Sequence, residues 1–162
     1  MVNRVELLRL LEQNARYTGK ELAVMLHVSE DEVNLELKAL KEEHIILGYT
    51  TVVNWEKTSL ESVTALIEIR LMPQRDQGFD RIAHRLYSYP QVSSCFLMSG
   101  GFDLMLIIED STLREVASFI SNKVAPLEGV VSTATHFILK KYKSNGVVFE
   151  EQEKDRREAV VL

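Results

Sequence analysis

The stretch TGKELAVMLHVSEDEVNLELKALKEE, residues 18–43, decides the fold of the first part of the chain. It contains two hydroxyl residues, Thr18 and Ser29, each followed three positions later by a glutamate. This is the pattern of a capping box, in which the hydroxyl accepts from an amide of the first helical turn and the carboxylate reaches back to the cap amide. The two boxes predict one helix near residues 19–25 and another near residues 30–43, separated by a very short turn.

Another helix is predicted before this pair, from Arg4 to Gln13, because its apolar residues recur at helical spacing. The predicted inward faces are Val5, Leu8 and Leu11, widened by Leu7 and Leu10, on the first helix, Leu22, Ala23 and Leu26 on the second, and Val33, Leu37 and Leu40 on the third. Two short helices joined by a tight turn, with one more helix to bury their shared face, form a helix-turn-helix.

Residues 45–53, IILGYTTVV, follow the third helix and are mostly β-branched or aromatic, with one glycine. This composition predicts a wing strand or hairpin. We therefore assign residues 1–53 to a winged helix-turn-helix domain and residues 54–62 to a polar linker.

The remainder of the chain alternates apolar strands with amphipathic helices. The predicted elements are a strand at 63–72, a helix at 79–87, strands at 92–98 and 104–109, a helix at 113–124 and a strand at 130–142. The order βαββαβ is typical of a ferredoxin-like domain, and right-handed crossovers place both helices on one face of the sheet. The fold class is thus α+β, with the second domain at 63–143 and a C-terminal tail at 144–162 to which we assign no function.

Two neighbouring strands of that domain, 95–98 and 104–108, are apolar on both faces. Helices cover only one face of a ferredoxin-like sheet, and soluble monomers rarely expose a broad apolar patch. A second copy packed sheet to sheet would cover the other face. The sequence therefore predicts a homodimer.

The composition excludes several classes of protein. The single cysteine, Cys95, rules out an internal disulfide and a cysteine-cluster metal site, and suits a reducing cytoplasm. Charged residues interrupt the apolar N-terminus, which is unlike a signal peptide, and the longest apolar run, 104–108, is too short to cross a bilayer. We expect a cytoplasmic protein with no membrane partner, no metal and no cofactor.

The charge distribution opposes an obvious nucleic-acid footprint. The net charge is −5, and residues 1–54 carry six Lys and Arg against nine Asp and Glu. DNA-binding surfaces are usually basic, because cations that neutralise phosphates release counterions. An acidic first domain predicts weak or narrowly specific DNA binding with a shallow salt dependence.

The order of these segments resembles the Lrp/AsnC family of regulators over residues 3–143. The matching residues are Glu21-Leu22-Ala23, Val28-Ser29, Val33, Leu40 and Ile45 to Tyr49 in the first domain, and Gly100 to Asp103, Thr133-Ala134-Thr135 and Leu139 to Lys141 in the second. The sequence departs from the family pattern at Asn34, Leu35 and Glu36, where arginines are common. It also departs at Glu30, where proline is common.

The resemblance implies an effector-responsive transcription regulator, dimeric and often octameric, that binds double-stranded DNA. The third helix would enter the major groove, where Asn can bind adenine, an acidic side chain can accept from cytosine, and Leu35 can contact a thymine methyl. The predicted DNA-binding residues are Arg16, Lys20, Ser29, Glu30, Asp31, Asn34, Leu35, Lys38 and Lys41. The outward residues of the third helix that would face the bases are Glu30, Asp31, Asn34, Leu35 and Lys38. Phosphate contacts would come from the helix N-termini and from Arg16, Lys20, Lys38 and Lys41. The alternative is a solvated acidic helix in a sensing or protein-interaction module that has lost strong DNA binding.

The resemblance also implies that an amino acid or similar small molecule binds at the RAM effector domain, near the glycine-containing hairpin. The predicted effector-binding residues are Ser99, Gly100, Gly101, Phe102, Asp103, Thr133 and Thr135. Glycines leave backbone amides open to a carboxylate, and Asp103 can hold an ammonium group or fix the loop. The alternative for this segment is a plain hairpin turn that needs glycine for positive φ.

We expect no enzymatic activity, since the sequence contains no nucleophile–base arrangement, phosphate-binding loop or paired carboxylates. The less favoured hypothesis is a tetrapyrrole decarboxylase-like enzyme, because such enzymes share this two-domain plan and could use His84 and His136. Isolated histidines are more often surface or core residues than catalytic ones.

Overall fold

A computed structural model describes residues 1–60, 62–72 and 78–149, and it separates the chain into two compact units, Met1–Thr51 and Val52–Leu162. Most of the predicted C-terminal tail, from residue 150 onward, lies outside the described residues. No helix among the described residues is both long enough and apolar enough to cross a membrane.

The first unit consists of three helices, α1 (Arg4–Gln13), α2 (Gly19–Leu26) and α3 (Glu30–Glu42). Both predicted capping boxes are confirmed, since the Thr18 and Ser29 hydroxyls accept from the third helical amides at 3.2 and 3.3 Å. The turn between α2 and α3 passes through His27, which takes the left-handed conformation at φ 54°. The helix-turn-helix is confirmed.

The core of the first unit lies between the three helices. Leu7, Leu22, Val33 and Leu40 are fully buried, and each comes from the apolar face of its helix. Val5, in contrast, was predicted to face inward and is 60% exposed. It lies one helical turn from Leu8, which is only partly buried against the core, so the buried stripe of α1 runs through Leu7 and Leu11.

The predicted wing is wrong for residues 46–53, which form neither a strand nor a hairpin. A strand requires a partner with which to exchange backbone hydrogen bonds, and the first unit contains no strand among the described residues. The β-branched residues of this stretch favour a strand, but a single chain offers this stretch no neighbouring strand with which to pair.

The second unit begins with a 3-10 turn, Trp55–Lys57, and continues as a sheet with helices. Its elements are β1 (Val63–Leu71), α4 (Gly78–Tyr87), β2 (Val92–Leu97), β3 (Leu104–Asp110), α5 (Leu113–Phe119) with a π-helical turn (Ile120–Val124), β4 (Val130–Phe137), β5 (Lys143–Ser144) and β6 (Val147–Val148). The main sheet has the order β2-β3-β1-β4 and all its pairs are antiparallel. This is the predicted ferredoxin-like arrangement.

The last strand is shorter than predicted. β4 was expected to reach residue 142 and ends at Phe137, after which β5 and β6 form a separate small hairpin. Phe137 is opposite Ala65, and the amide of Ile138 still donates to the carbonyl of Thr64 at 2.9 Å. Because β1 begins at Val63, just before Thr64, it has no further residues that could pair with residues 139–142.

The two faces of the sheet differ. The side covered by α4 and α5 is the core, in which Ile67, Ile69, Leu104 and Leu106 are essentially buried. The opposite side, named here the open face, carries Leu66, Phe96, Met105 and Ile107 together with Glu68 and His136, as the strand register shows. Phe96 is 46% exposed there. β3 is apolar on both faces, because Leu104 and Leu106 lie in the core and Met105 and Ile107 lie on the open face.

Candidate functional site

The exposed face of α3 carries all the helix residues predicted to contact bases. Glu30, Asp31, Asn34 and Lys38 are exposed, and Leu35 is 72% exposed although it is a large apolar side chain. These positions recur at helical spacing on the side away from the buried valine and leucine of the core. A single helix therefore presents a mixed acidic, amide, apolar and basic surface to solvent.

Much of the negative charge of α3 is already paired within the first unit. Glu32 closes the capping box and also contacts the N-terminal amine of Met1 at 3.3 Å. Hydrogen bonds from the backbone and hydroxyl of Ser29 lower the pKa of Glu32 below its ordinary value. The negative charge of Glu32 is thus paired with groups at the N-terminus of α3 and with the N-terminal amine.

Arg4 of α1 pairs with two further carboxylates, Glu36 in the middle of α3 and Glu43 at its C-cap. Its guanidinium contacts Glu43 at 2.8 and 2.9 Å in a bidentate arrangement and Glu36 at 2.6 Å. These contacts lower the pKa of Glu43 and raise that of Arg4, in both cases mainly through the hydrogen bond between them. Among the residues that the structure describes, Glu30 and Asp31 are therefore the acidic residues on the base-contacting face of α3 without an ion-pair partner.

The amide of Asn34 lies against the start of α2. A Cβ atom at Gly19 would lie 2.7 Å from Asn34 Oδ1, so the Asn34 side chain occupies space that a larger residue at position 19 would take. Lys20, the next residue of α2, is exposed beside this contact. The structure therefore brings the predicted base-contacting amide close to a predicted phosphate-contacting cation.

The other predicted cations are arranged less directly. Lys38 pairs loosely with Glu42 at 3.8 Å, and the ammonium of Lys41 lies 5.4 Å from the centre of the Tyr49 ring. Arg16 is exposed in the loop between α1 and α2, where its amide donates to Asn14 at 3.0 Å. The hydroxyl of Ser29 is engaged in the capping box, so it orients α3.

In the second unit, the hairpin between β2 and β3 is closed by Asp103. Its carbonyl accepts from the amide of Met98 at 2.8 Å, and its amide donates to Ile69 at 2.9 Å. Its carboxylate oxygen Oδ2 accepts from the amide of Leu71 at 2.7 Å. A register shift in the pairing of β1 with β4 lies at this same point. The side chain of Asp103 thus accepts a hydrogen bond from β1 just beyond the last backbone hydrogen bond between β1 and β3.

The glycines of this hairpin are not equivalent. Gly100 has φ +144°, a conformation that residues with a side chain rarely adopt, whereas Gly101 has no positive φ and open space where a Cβ would lie. Ser99, Gly100 and Gly101 are exposed, and Phe102 is half-buried. The backbone of the turn is accessible to a ligand.

Thr133 lies near the hairpin, and Thr135 lies farther from it. On β4, Thr133 is opposite Ile69 and Thr135 is opposite Ile67, so both point to the same face of the sheet. Ile69 also accepts from the amide of Asp103. The structure therefore brings the hairpin and Thr133 to one end of the sheet with β1 between them, and leaves Thr135 nearer the middle.

The two histidines do not form a common site in one chain. His84 is exposed on α4, where its ring lies 5.1 Å from that of Tyr87. His136 lies on the open face, 3.3 Å from Glu68. The helix and the open face are on opposite sides of the sheet, and the described residues contain no metal-binding group of three suitable side chains.

Sequence reasoning missed two features of these sites, the pairing of Arg4 with α3 and the hydrogen bond from Leu71 to Asp103. The partners are separated by 39 and 32 positions respectively, so no local pattern signals them. It also missed a cleft around Trp55, for which only the lone tryptophan in a polar linker was a hint.

Residues 64–148, slightly more than half of the chain, match the family model of the Lrp/AsnC ligand binding domain. The chain belongs to the Lrp/AsnC family. It is 40% identical to the HTH-type transcriptional regulator YugG of Bacillus subtilis over 153 residues, 94% of this chain and 92% of YugG. It is 32% identical to the HTH-type transcriptional regulator LrpA of Pyrococcus horikoshii over 137 residues, 85% of this chain and 94% of LrpA.

Solved structures of Lrp/AsnC regulators share the fold. A transcriptional regulator from Neisseria meningitidis, solved as a complex with L-Met, has a TM-score of 0.71 at 24% identity and covers 87% of this chain and 90% of its own. AsnC of E. coli has a TM-score of 0.69 at 20% identity and covers 89% and 96%. These structures support the fold, and the family match with the identity to YugG and LrpA shows that the chain is an Lrp/AsnC-type regulator of transcription with a helix-turn-helix and the family's ligand-binding domain.

Proposed function

We propose that this protein regulates transcription from the cytoplasm by binding double-stranded DNA through α3 and by sensing an amino acid or similar small molecule at the hairpin of the second unit. The observation that carries the proposal is the exposed face of α3, whose acidic neighbours are paired by Arg4 and by the capping box. The helix is thus less repulsive to phosphates than its sequence suggests.

On DNA, the exposed residues of α3 take the base contacts. Asn34 hydrogen-bonds an adenine edge, Leu35 packs on a thymine methyl, and Glu30 or Asp31 accepts from cytosine. Phosphate contacts come from Arg16, Lys20, Lys38 and Lys41 and from the helix N-termini, which point amides at the backbone. Ser29 contributes by holding the N-terminus of α3 in position.

The open face supports a homodimer. Phe96, Met105, Ile107 and Leu66 form an apolar strip on the side of the sheet without helices. Two copies packed by this face would remove the strip from water and bring two α3 helices to one duplex. Assembly of such dimers into octamers is the further step that the family resemblance suggests.

The effector site is proposed at the hairpin of Ser99 to Asp103, with Thr133 and Thr135 on β4. An amino acid is favoured because the fold neighbour from Neisseria meningitidis was solved with L-Met. The exposed amides around Gly100 suit a carboxylate. Asp103 is already engaged with Leu71 through one oxygen, so only its second oxygen is available to an ammonium group.

Fluorescence anisotropy with a labelled duplex from upstream of the protein's own gene tests DNA binding. We expect tighter binding than to a random duplex of equal length. Asn34→Ala should weaken the specific complex by about 1–3 kcal/mol and relax specificity at one base pair, whereas Lys38→Gln should weaken both complexes and reduce the salt slope by about one. Lys123→Gln, an exposed substitution in the second unit, is the matched control.

A second candidate function is a sensing module that has lost strong DNA binding. It is favoured by Glu30 and Asp31, which are exposed at the end of α3 that would approach the phosphates. Equal affinity for upstream and random duplex at both low and moderate salt would support this candidate and reject the first.

A further inference from the structure

A cleft of about 730 Å³ lies within the second unit, between three segments of chain that are distant in sequence. One wall is the connector around Trp55 and Leu60, another is the first turn of α5 at Leu113 and Arg114, and the third is the chain that follows β4, from Ile138 to Phe149. A cavity of this volume lies in the range of small-molecule sites.

This cleft is separate from the proposed effector hairpin. The hairpin precedes Leu104 at one end of β3, and the cleft begins at Ser111, just after Asp110 at the other end. Six residue steps of about 3.4 Å put the two ends about 20 Å apart. No residue of the hairpin lines the cleft.

The walls offer an apolar surface that solvent still reaches. Trp55 is 45% exposed, Leu60 63%, Leu113 57% and Ile138 40%, and all four line the cleft. A ligand with an apolar body of aromatic size would cover these side chains, and the flat indole of Trp55 suits a ring.

Two cations face the same space. Lys141 is partly engaged by Glu109 at 3.9 Å, a long contact. Arg114 forms no ion pair or hydrogen bond among the described residues, although Arg is the side chain best suited to bind a carboxylate through two parallel hydrogen bonds. One carboxylate, Glu56, also lines the cleft, so the described lining carries a net positive charge.

We propose that this cleft is a second ligand site, which binds a small carboxylate attached to an apolar, aromatic-sized body. Arg114 binds the carboxylate, Lys141 adds charge, and Trp55 with Leu60, Leu113 and Ile138 packs on the body. One wall of this site is the connector from Val53 to Leu60, which the bound ligand contacts directly.

The full chain has an intrinsic reporter for this site, since Trp55 is its only tryptophan. The probe is phenylacetate, followed by Trp55 emission and by calorimetry for stoichiometry. We expect a saturable change with one phenylacetate per chain, and binding of the neutral isostere phenylacetamide at least about tenfold weaker, because a carboxylate–Arg pair in a cleft contributes on the order of 1.4 kcal/mol or more.

Variants then locate the site. Arg114→Gln should weaken phenylacetate binding about tenfold. Arg85→Gln, an exposed arginine on α4 that does not line the cleft, should leave phenylacetate binding unchanged. The proposal is overturned if no saturable binding occurs, if phenylacetamide binds equally well, or if Arg114→Gln binds like the unmodified chain. None of these outcomes bears on DNA binding by α3.

Discussion

Substitution of Asp103 can separate the structural role of its carboxylate, which accepts a hydrogen bond from Leu71, from its proposed role in binding an effector. Asp103→Ala removes the acceptor for the amide of Leu71, a 2.7 Å hydrogen bond in a partly buried position. A hydrogen bond to a charged acceptor contributes about 1.5–3 kcal/mol, and a buried amide left without a partner costs a similar amount. Asp103→Ala should therefore lower the free energy of unfolding of the second unit by about 2 kcal/mol.

Urea denaturation followed by Trp55 emission measures this change, because the only tryptophan lies in the second unit. Protein concentration must be held constant, since self-association adds to apparent stability. Asp103→Asn keeps an oxygen acceptor in place and should lose about 1 kcal/mol or less. Unfolding of Asp103→Ala within about 0.5 kcal/mol of the unmodified chain would refute the structural role of this carboxylate.

The same pair of variants tests the effector role. A folded Asp103→Asn protein that no longer responds to an amino acid would assign the carboxylate to the ammonium group of the ligand. An unchanged response would restrict Asp103 to closing the hairpin.

Three further predictions concern the first unit and the open face. Ser29→Ala should destabilise the first unit by about 1 kcal/mol through loss of the cap of α3, as measured by circular dichroism in urea, and an unchanged midpoint would contradict it. The pKa values of Glu21 and Glu32 are lowered by their hydrogen bonds to Thr18 and Ser29, so their contribution to stability is complete above their ordinary pKa of 4.5 and is lost as the pH falls through the lowered values. Urea midpoints of the first unit should therefore fall with pH in that range, and a rise would contradict the assignment. Ile107→Lys, on the open face, should leave the helix-side core intact and shift sedimentation to the monomer, whereas Val24→Lys, 70% exposed on α2, should not; a dimeric Ile107→Lys protein would exclude this face as the interface.

The helices of the first unit could be predicted from sequence almost to the residue because their boundaries are set locally. A hydroxyl and a glutamate three positions apart close each capping box within one turn, whatever the rest of the chain does. The order of strands and helices in the second unit followed from hydrophobic periodicity in the same way.

Features that depend on a distant partner could not be predicted. The β-branched stretch at 46–53 has the composition of a strand and no strand to pair with, and β4 ends where β1 no longer offers backbone groups. The helix predicted at 113–124 changes to a π-helical turn at Ile120, a change that no residue type there signals. Pairing sets these boundaries, and composition does not.

In the candidate site on α3, some features depend on local sequence and others on residues distant in the chain. Helical spacing was sufficient to predict which residues face outward. The sequence suggested a strongly acidic helix, because the contacts of Arg4 with Glu36 and Glu43 join positions 32 and 39 residues apart. Only the packing of α1 against α3 reveals that this charge is paired.

Sedimentation velocity of the full chain with a labelled upstream duplex tests the central claim most directly. We predict a single complex in which each duplex carries at least two chains, because the proposed dimer would join two copies through the open face and each copy has one α3 helix. A complex of one chain per duplex, or free duplex at protein concentrations where the chain is folded, would contradict it.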